Sequence, residues 1–290
     1  MLRDAALRGP FDIVCRRSFR RSREMMVEIV LPSVQSLWLR MEFGDQPLAT
    51  GTSFVVSSAK GPLLITNRHN VTGRDQTTGQ PLDRVNGGVP DRIRIRHNQN
   101  GQFGSWVERV EPLYDSDGGP LWKEHPVLGA KADFVALAIS ELQDVQLFPY
   151  ELNTPRKVLV TPGEAVSVVG FPFGLAVAGS TAIWATGFMA TEPELDYDGS
   201  PQFLIDCRTR KGQSGSAVIA HRIGSYIPLG GGLTTGSATD LLGIYSGRIN
   251  EQSDLGIVWK VSAIQEMVRS IENPPLSFTK IGVNLTLKWT

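Results

Sequence analysis

Lys211-Gly212-Gln213-Ser214-Gly215-Ser216-Ala217 is the stretch on which the reading of this chain turns. A serine between glycines, after a strand-like run ending at Cys207 and before another starting at Ser216, occupies a tight turn where backbone N–H groups can converge. Serine is a poor nucleophile until a neighbouring base accepts its proton. An acyl-transfer site also needs donors aimed where charge develops on the carbonyl oxygen. The amides of Gly212 and Ser214 are the natural pair for that task, because Gly212 can adopt the backbone angles that turn its N–H inward. Gly-Ser turns are common connectors, so the segment alone leaves function open.

Two further segments supply what a serine lacks. In Leu63-Leu64-Ile65-Thr66-Asn67-Arg68-His69 an apolar strand runs into a polar turn bearing a histidine, the side chain best suited to proton transfer near neutrality. In Lys131-Ala132-Asp133-Phe134-Val135-Ala136-Leu137-Ala138-Ile139 one carboxylate stands at the mouth of an apolar strand. Burial there demands a partner, and an imidazolium N–H is one. Each residue also has a plainer reading, His69 as a strand-end cap and Asp133 as a turn cap. In chain order 64 residues separate His69 from Asp133, and 81 separate Asp133 from Ser214. If two lobes pack face to face, all three can meet at the seam.

The rest of the chain is written in short β-type runs broken by turn signals, at 36–43, 51–57, 62–66, 92–96, 134–139, 165–170, 182–189, 203–207, 216–220, 242–246 and 256–260. A proline-rich stretch at 148–157 divides them into two groups. The one helical period is 262–271, with Ile264, Met267, Val268 and Ile271 on one face and Ser262 as its N-cap. The expected class is all-β: two packed antiparallel six-stranded barrels, the first at about 33–150 and the second at about 157–262, with a short C-terminal helix and a terminal strand at 281–289.

Composition narrows the function. The 290 residues are 41% hydrophobic and 20% charged, enough to bury a core. Lys+Arg and Asp+Glu both number 29, which argues against a nucleic-acid partner held by bulk positive charge. No apolar run is long enough to cross a bilayer, so no membrane partner is expected. His69, His97, His125 and His221 are scattered, and neither a metal nor a cofactor is expected. Cys15 and Cys207 lie in unlike contexts, so no stapling disulfide is expected and the usage fits a reducing, cytoplasmic setting. Residues 1–25 form an arginine-rich leader read as a flexible extension, an upstream start, or a targeting peptide.

In order and context the three segments resemble the trypsin-like serine endopeptidases, and within them the bacterial HtrA-like branch. Ile65-Thr66-Asn67-Arg68-His69 is similar to that family's histidine motif, the run from Asp133 to its aspartate strand, and Gly212-Gln213-Ser214-Gly215-Ser216 to its nucleophile loop. Gly170-Phe171-Pro172-Phe173-Gly174 resembles the turn opening the second barrel, Thr186-Gly187-Phe188-Met189 the strand that follows, and Leu242-Gly243-Ile244-Tyr245-Ser246-Gly247 the strand lining the substrate cleft. The resemblance covers about 36–271. It implies a protein or peptide substrate, Ser214 as nucleophile, His69 as general base, Asp133 as its orienting carboxylate and the Gly212 and Ser214 amides as oxyanion hole. It also implies a substrate pocket walled by Tyr245, Ser246 and Gly247 with Arg208 near its base. An inward Arg208 would favour acidic substrate residues. An outward one is expected, because an unpaired buried guanidinium is costly.

Departures from the family pattern are Gln213, where Asp or Asn is usual, and Ser216, where Gly is frequent. No PDZ-like module is expected after the catalytic region. The alternative to an active peptidase is an inactive or latent member of the fold, serving as a peptide-binding scaffold or awaiting an activating protein partner. Three features remain. Arg92, Arg94 and Arg96 share one strand face, either solvated or docking an acidic partner or nucleic acid. The glycine-rich insertion at 221–240 is a surface excursion or a mobile loop near the cleft. Asn70 and Asn284 begin glycosylation sequons, and a glycan on Asn70 would block the cleft, which disfavours a secretory route.

Overall fold

Short runs rich in β-branched and aromatic residues, cut by glycine turns, form the strands. The run Arg92–Gln99 buries alternate side chains, whereas Leu63–Thr66 and Ala165–Gly170 are buried on both faces. The computed structural model describes residues 13–19, 25–84, 87–250 and 252–274. β1 (Ile13–Phe19) pairs antiparallel with β2 (Met25–Val30), followed by a one-turn helix α1 (Pro32–Gln35). The first lobe contains β3 (Ser36–Phe43), β4 (Gln46–Val56), β5 (Leu63–Thr66), the short helix α2 (Arg68–Thr72), β6 (Arg92–Gln99), β7 (Trp106–Pro112), β8 (Val135–Ala138) and β9 (Val145–Gln146). The second contains β10 (Ala165–Gly170), β11 (Ile183–Met189), β12 (Gln202–Asp206), β13 (Ala217–Tyr226), β14 (Thr234–Arg248) and β15 (Leu255–Lys260), closed off by helix α3 (Val261–Glu272).

The second lobe is a closed six-stranded antiparallel barrel in the order β10-β11-β12-β15-β14-β13. The first is a seven-stranded sheet in the order β7-β6-β3-β4-β5-β8, with β9 on β6, and its backbone ladder stays open between β7 and β8. Side chains and a crossing segment cover that opening. Leu121 N donates to Leu113 O at 3.0 Å, and Lys123 and Ala136 exchange hydrogen bonds of 2.7 and 3.0 Å. The buried carboxylate of Glu111 accepts from Ser140 N at 2.8 Å, Ser140 Oγ at 2.6 Å and Glu141 N at 2.9 Å. An acidic side chain thus replaces ladder bonds that a strand would supply. Glu111→Ala leaves two backbone donors and a hydroxyl without an acceptor. The expected loss is about 3 kcal/mol, read as a lower urea midpoint at unchanged slope.

Each lobe has its own core. Leu39, Leu64, Ile93 and Ile95 are fully buried in the first, and Val168, Ile205, Val218 and Val258 in the second. A third cluster lies between them and draws Phe54 and Phe134 from the first lobe together with Phe171, Ile219 and Trp259 from the second. Each large side chain removed from water there contributes ~2 kcal/mol, so the seam is held by apolar burial. The stretch 148–157 connects the lobes. Tyr150 N bonds Val55 O at 2.8 Å, and Asp240 Oδ2 accepts from both Lys157 N and Val158 N at 2.7 Å.

The arginine face of β6 is matched by acids. Arg94 pairs with Glu42 at 2.8 Å, Arg96 with Glu108 at 2.9 Å and Arg92 with Asp91 at 2.9 Å, while Arg96 also stacks 4.5 Å from the centre of the Trp38 ring. Helix α3 buries Ala263, Ile264, Met267 and Val268 at the expected helical spacing. Its N-cap is Lys260 rather than Ser262, since the chain turns helical directly at the end of β15 and no side chain caps it. The expected strand at 281–289, with Asn284, lies outside the described residues, as do 1–12 and 20–24 of the leader.

Candidate active site

Register brings the first two candidate residues together. Thr66 at the end of β5 faces Val135 at the start of β8, so both chains leave the ladder side by side. His69 then falls in the first turn of α2, and Asp133 lies just before β8. The helix is short because Gly73 takes a left-handed conformation at φ 62° and its N–H returns to His69 O. Asp133 is buried, and its Oδ2 lies 2.8 Å from His69 Nδ1 while its Oδ1 accepts from His69 N at 3.1 Å. Ser246 Oγ donates to the same Oδ2 at 2.5 Å, and Asn67 Nδ2 holds the Asp133 carbonyl at 2.6 Å.

A carboxylate can only accept, so Asp133 places the imidazole proton on Nδ1 and leaves Nε2 with a free lone pair. Burial of the His69 ring depresses its pKa. The charge of Asp133 and the hydrogen bond to it act the other way and prevail, so His69 stands above its ordinary value of 6.5.

The loop that carries Ser214 is pinned peptide by peptide. Lys211 O accepts from Phe173 N at 2.6 Å, Gln213 N donates to Arg210 O at 3.2 Å, Gln213 O accepts from Ser216 N at 2.9 Å, and Gly215 N donates to Tyr245 O at 3.0 Å. Gly212 N and Ser214 N donate to nothing among the described hydrogen bonds. The carbonyl ends of the same two peptides, Lys211 O and Gln213 O, are held, which fixes the two N–H groups in place beside the serine. Such an arrangement is suited to receiving an anionic oxygen. Ser214 itself is half-buried, and its hydroxyl is not hydrogen-bonded to the imidazole among the described contacts.

Thr52 of β4 ties this loop to the first lobe. Its Oγ1 donates to Gly212 O at 2.8 Å and accepts from Phe171 N at 3.1 Å, and its N donates to Ser214 O at 2.9 Å. Asn70 Nδ2 adds bonds to Thr66 Oγ1 at 3.0 Å and Ser214 O at 3.2 Å. A buried amide so engaged cannot accept a glycan in the folded chain. Close approach also requires Gly215, which sits at φ 89° and whose missing Cβ would lie 2.0 Å from Thr52 O. Gly215→Ala must push a backbone carbonyl aside and strain a left-handed residue. It is expected to lower stability by about 3 kcal/mol in denaturant unfolding.

The two departures in the loop have local explanations. Gln213 is buried, and its Oε1 accepts from Arg210 N at 2.7 Å, a reach the shorter Asp or Asn does not have. Ser216 fills the space above Gly170, where a Cβ would meet its Oγ at 2.0 Å. Among the expected pocket residues, Arg208 points outward with its side chain 82% exposed and 3.6 Å from Asp254. Tyr245 is buried with its hydroxyl bonded to Thr209 Oγ1, and a Cβ on Gly247 would meet nothing within 4 Å. Ser246 turns its hydroxyl to Asp133, a contact that the sequence did not signal and that the strand register creates. Thr52 likewise carries no motif of its own.

A cavity of about 700 Å³ lies elsewhere, bordered by Tyr150, Met189, Phe203 and Lys260, and none of His69, Asp133 or Ser214 lines it. Among the described residues no group of three or more His, Cys, Asp or Glu side chains could hold a metal ion, and no helix is long and apolar enough to cross a membrane.

Residues 51–227 match the family model described as trypsin-like peptidase domain. No curated protein matches the chain. Among solved structures it is similar to a serine endoprotease from Yersinia pestis, at 15% identity and TM-score 0.48 over 83% of this chain. The chain spans 64% of that protein's length. It is also similar to the active form of a protease from M. tuberculosis, at 16% identity and TM-score 0.48, covering 83% of this chain and 82% of that one. A thermostable serine protease from an extremophilic microorganism is similar at 15% identity and TM-score 0.47, covering 84% and 100%.

Proposed function

Because the chain belongs to the trypsin-like peptidase domain family, we propose that it is a serine endopeptidase that cleaves protein or peptide substrates through an acyl-enzyme. The observation that carries this reading is the 2.8 Å contact of His69 Nδ1 with Asp133, which leaves Nε2 as the basic nitrogen. It is supported by a serine loop in which the Gly212 and Ser214 N–H groups donate to nothing among the described hydrogen bonds.

Ser214 Oγ attacks the substrate carbonyl as His69 Nε2 takes its proton, and the imidazolium is stabilised by Asp133. The Gly212 and Ser214 amides bind the oxyanion, each worth ~3 kcal/mol in the transition state. His69 then delivers the proton to the departing amine. Water, activated by the same nitrogen, attacks the acyl-Ser214 carbonyl and frees the carboxylic acid. Substrate lies along 245–247, with Arg208 outside the pocket, so strong selection for acidic residues before the scissile bond is not part of the reading. A cytoplasmic location belongs to the same proposal and rests on the sparse cysteine usage.

Fluorophosphonate labelling followed by peptide mapping tests it. The label is expected on Ser214, and an active preparation labelled elsewhere overturns the assignment. One observation favours a second reading, latency: the Ser214 hydroxyl has no hydrogen bond to the imidazole among the described contacts. Labelling that begins only after a protein or peptide partner is added supports that version.

A further inference from the structure

After β10 the chain makes a tight turn, Phe171-Pro172-Phe173-Gly174, against the nucleophile loop. Phe171 enters the inter-lobe core, whereas Phe173 is 62% exposed at φ 56°, ψ 21°. A bulky side chain is rare in that left-handed region, where glycine or asparagine would be relaxed. The strained backbone therefore carries a ring that the core does not use. Leu175 and Val177 continue the exposure at alternate positions and make an apolar ridge.

Its location is set by backbone contacts. Phe173 N bonds Lys211 O at 2.6 Å, one residue before Gly212, and a Cβ on Gly174 would lie 3.1 Å from Thr50 Oγ1 of β4. On the other flank of Ser214, Gly215 N bonds Tyr245 O at 3.0 Å. A substrate whose acyl half follows 245–247 and whose scissile bond lies over Ser214 brings its leaving half across Phe173.

We infer that the ridge of Phe173, Leu175 and Val177 selects peptides with a bulky aliphatic or aromatic side chain within the first two residues after the scissile bond. The inference rests on the peptidase reading above. The ridge is continuous with the candidate site and carries no charge, so its occupant is an apolar side chain of the substrate itself.

The test uses internally quenched peptides that differ only in carrying Leu, Phe, Gly or Asp at those two positions, with the full chain and its Phe173→Gly and Phe173→Leu variants. For the unmodified chain kcat/KM with Leu is expected to exceed that with Gly by on the order of 10-fold. The ratio should fall to within about 2-fold in Phe173→Gly and persist in Phe173→Leu. The melting temperature of Phe173→Gly should not drop, because the left-handed backbone is relaxed there. A core-packing residue would lower it. An active chain whose Leu/Gly ratio is the same with and without the ring overturns this inference alone. A chain that neither takes a fluorophosphonate label nor cleaves any peptide, alone or with a protein or peptide partner added, overturns the peptidase reading and this inference together.

Discussion

Ser214→Ala is expected to abolish fluorophosphonate labelling and to slow casein hydrolysis by about 10⁵-fold or more, leaving only the rate that binding and the oxyanion donors sustain. The fold should not notice. The Ser214 hydroxyl is half-buried and supports no other group among the described hydrogen bonds, while its backbone carbonyl keeps its bonds from Thr52 N and Asn70 Nδ2. Stability should therefore stay within roughly 0.5 kcal/mol of the unmodified chain. Residual casein cleavage near the starting rate, from a preparation free of other peptidases, would show that another group is the nucleophile.

Asp133→Asn should cost about 10⁴-fold in kcat/KM at neutral pH. The amide keeps the size of the carboxyl group but presents an N–H to His69 Nδ1, which moves the imidazole proton to Nε2 and removes the lone pair that would take the Ser214 proton. Its pH signature separates this from simple damage. Burial pushes the His69 pKa down while the Asp133 charge and hydrogen bond push it up and prevail. The base must be neutral to act, so activity is absent below the folded-state pKa and appears as pH rises through it. That midpoint lies above 6.5. With the carboxylate gone, burial outweighs the smaller remaining attraction of the Asp75 charge, so the acidic limb of kcat/KM should move below 6.5. A profile whose midpoint does not move on substitution would mean that Asp133 does not set the state of His69.

Much of the architecture was legible because it depends on local pattern. The short alternating run of 92–96 is a strand whichever way the sheet closes, since one-sided burial imposes a period of two. The glycine-rich turn at 212–215 announced itself in the same way, because few other residues tolerate its backbone angles. Other features had no local signature. Nothing near Glu111 marks it as the acceptor that closes a barrel opening, for its partners Ser140 and Glu141 come 29 and 30 residues later. Thr52 reads as one more strand threonine until its hydroxyl is found on Gly212, 160 residues away. The N-cap of α3 went to Lys260 rather than Ser262, because the end of β15 and not a side-chain cap decides where that helix begins.

By itself, the sequence determined many of the segments that become strands, where the tight turns fall and which three residue types are available for acyl transfer, all of them consequences of chain stiffness and hydrophobic period. It did not show β7, or that β13 and β14 run on as a hairpin through most of the insertion at 221–240. Only the tertiary structure decided that His69 and Asp133 share a hydrogen bond, that Ser246 joins them and that Arg208 points away. Those outcomes depend on strand register and on two lobes meeting across a common apolar seam, and contacts between residues so far apart along the chain leave no periodic trace in it.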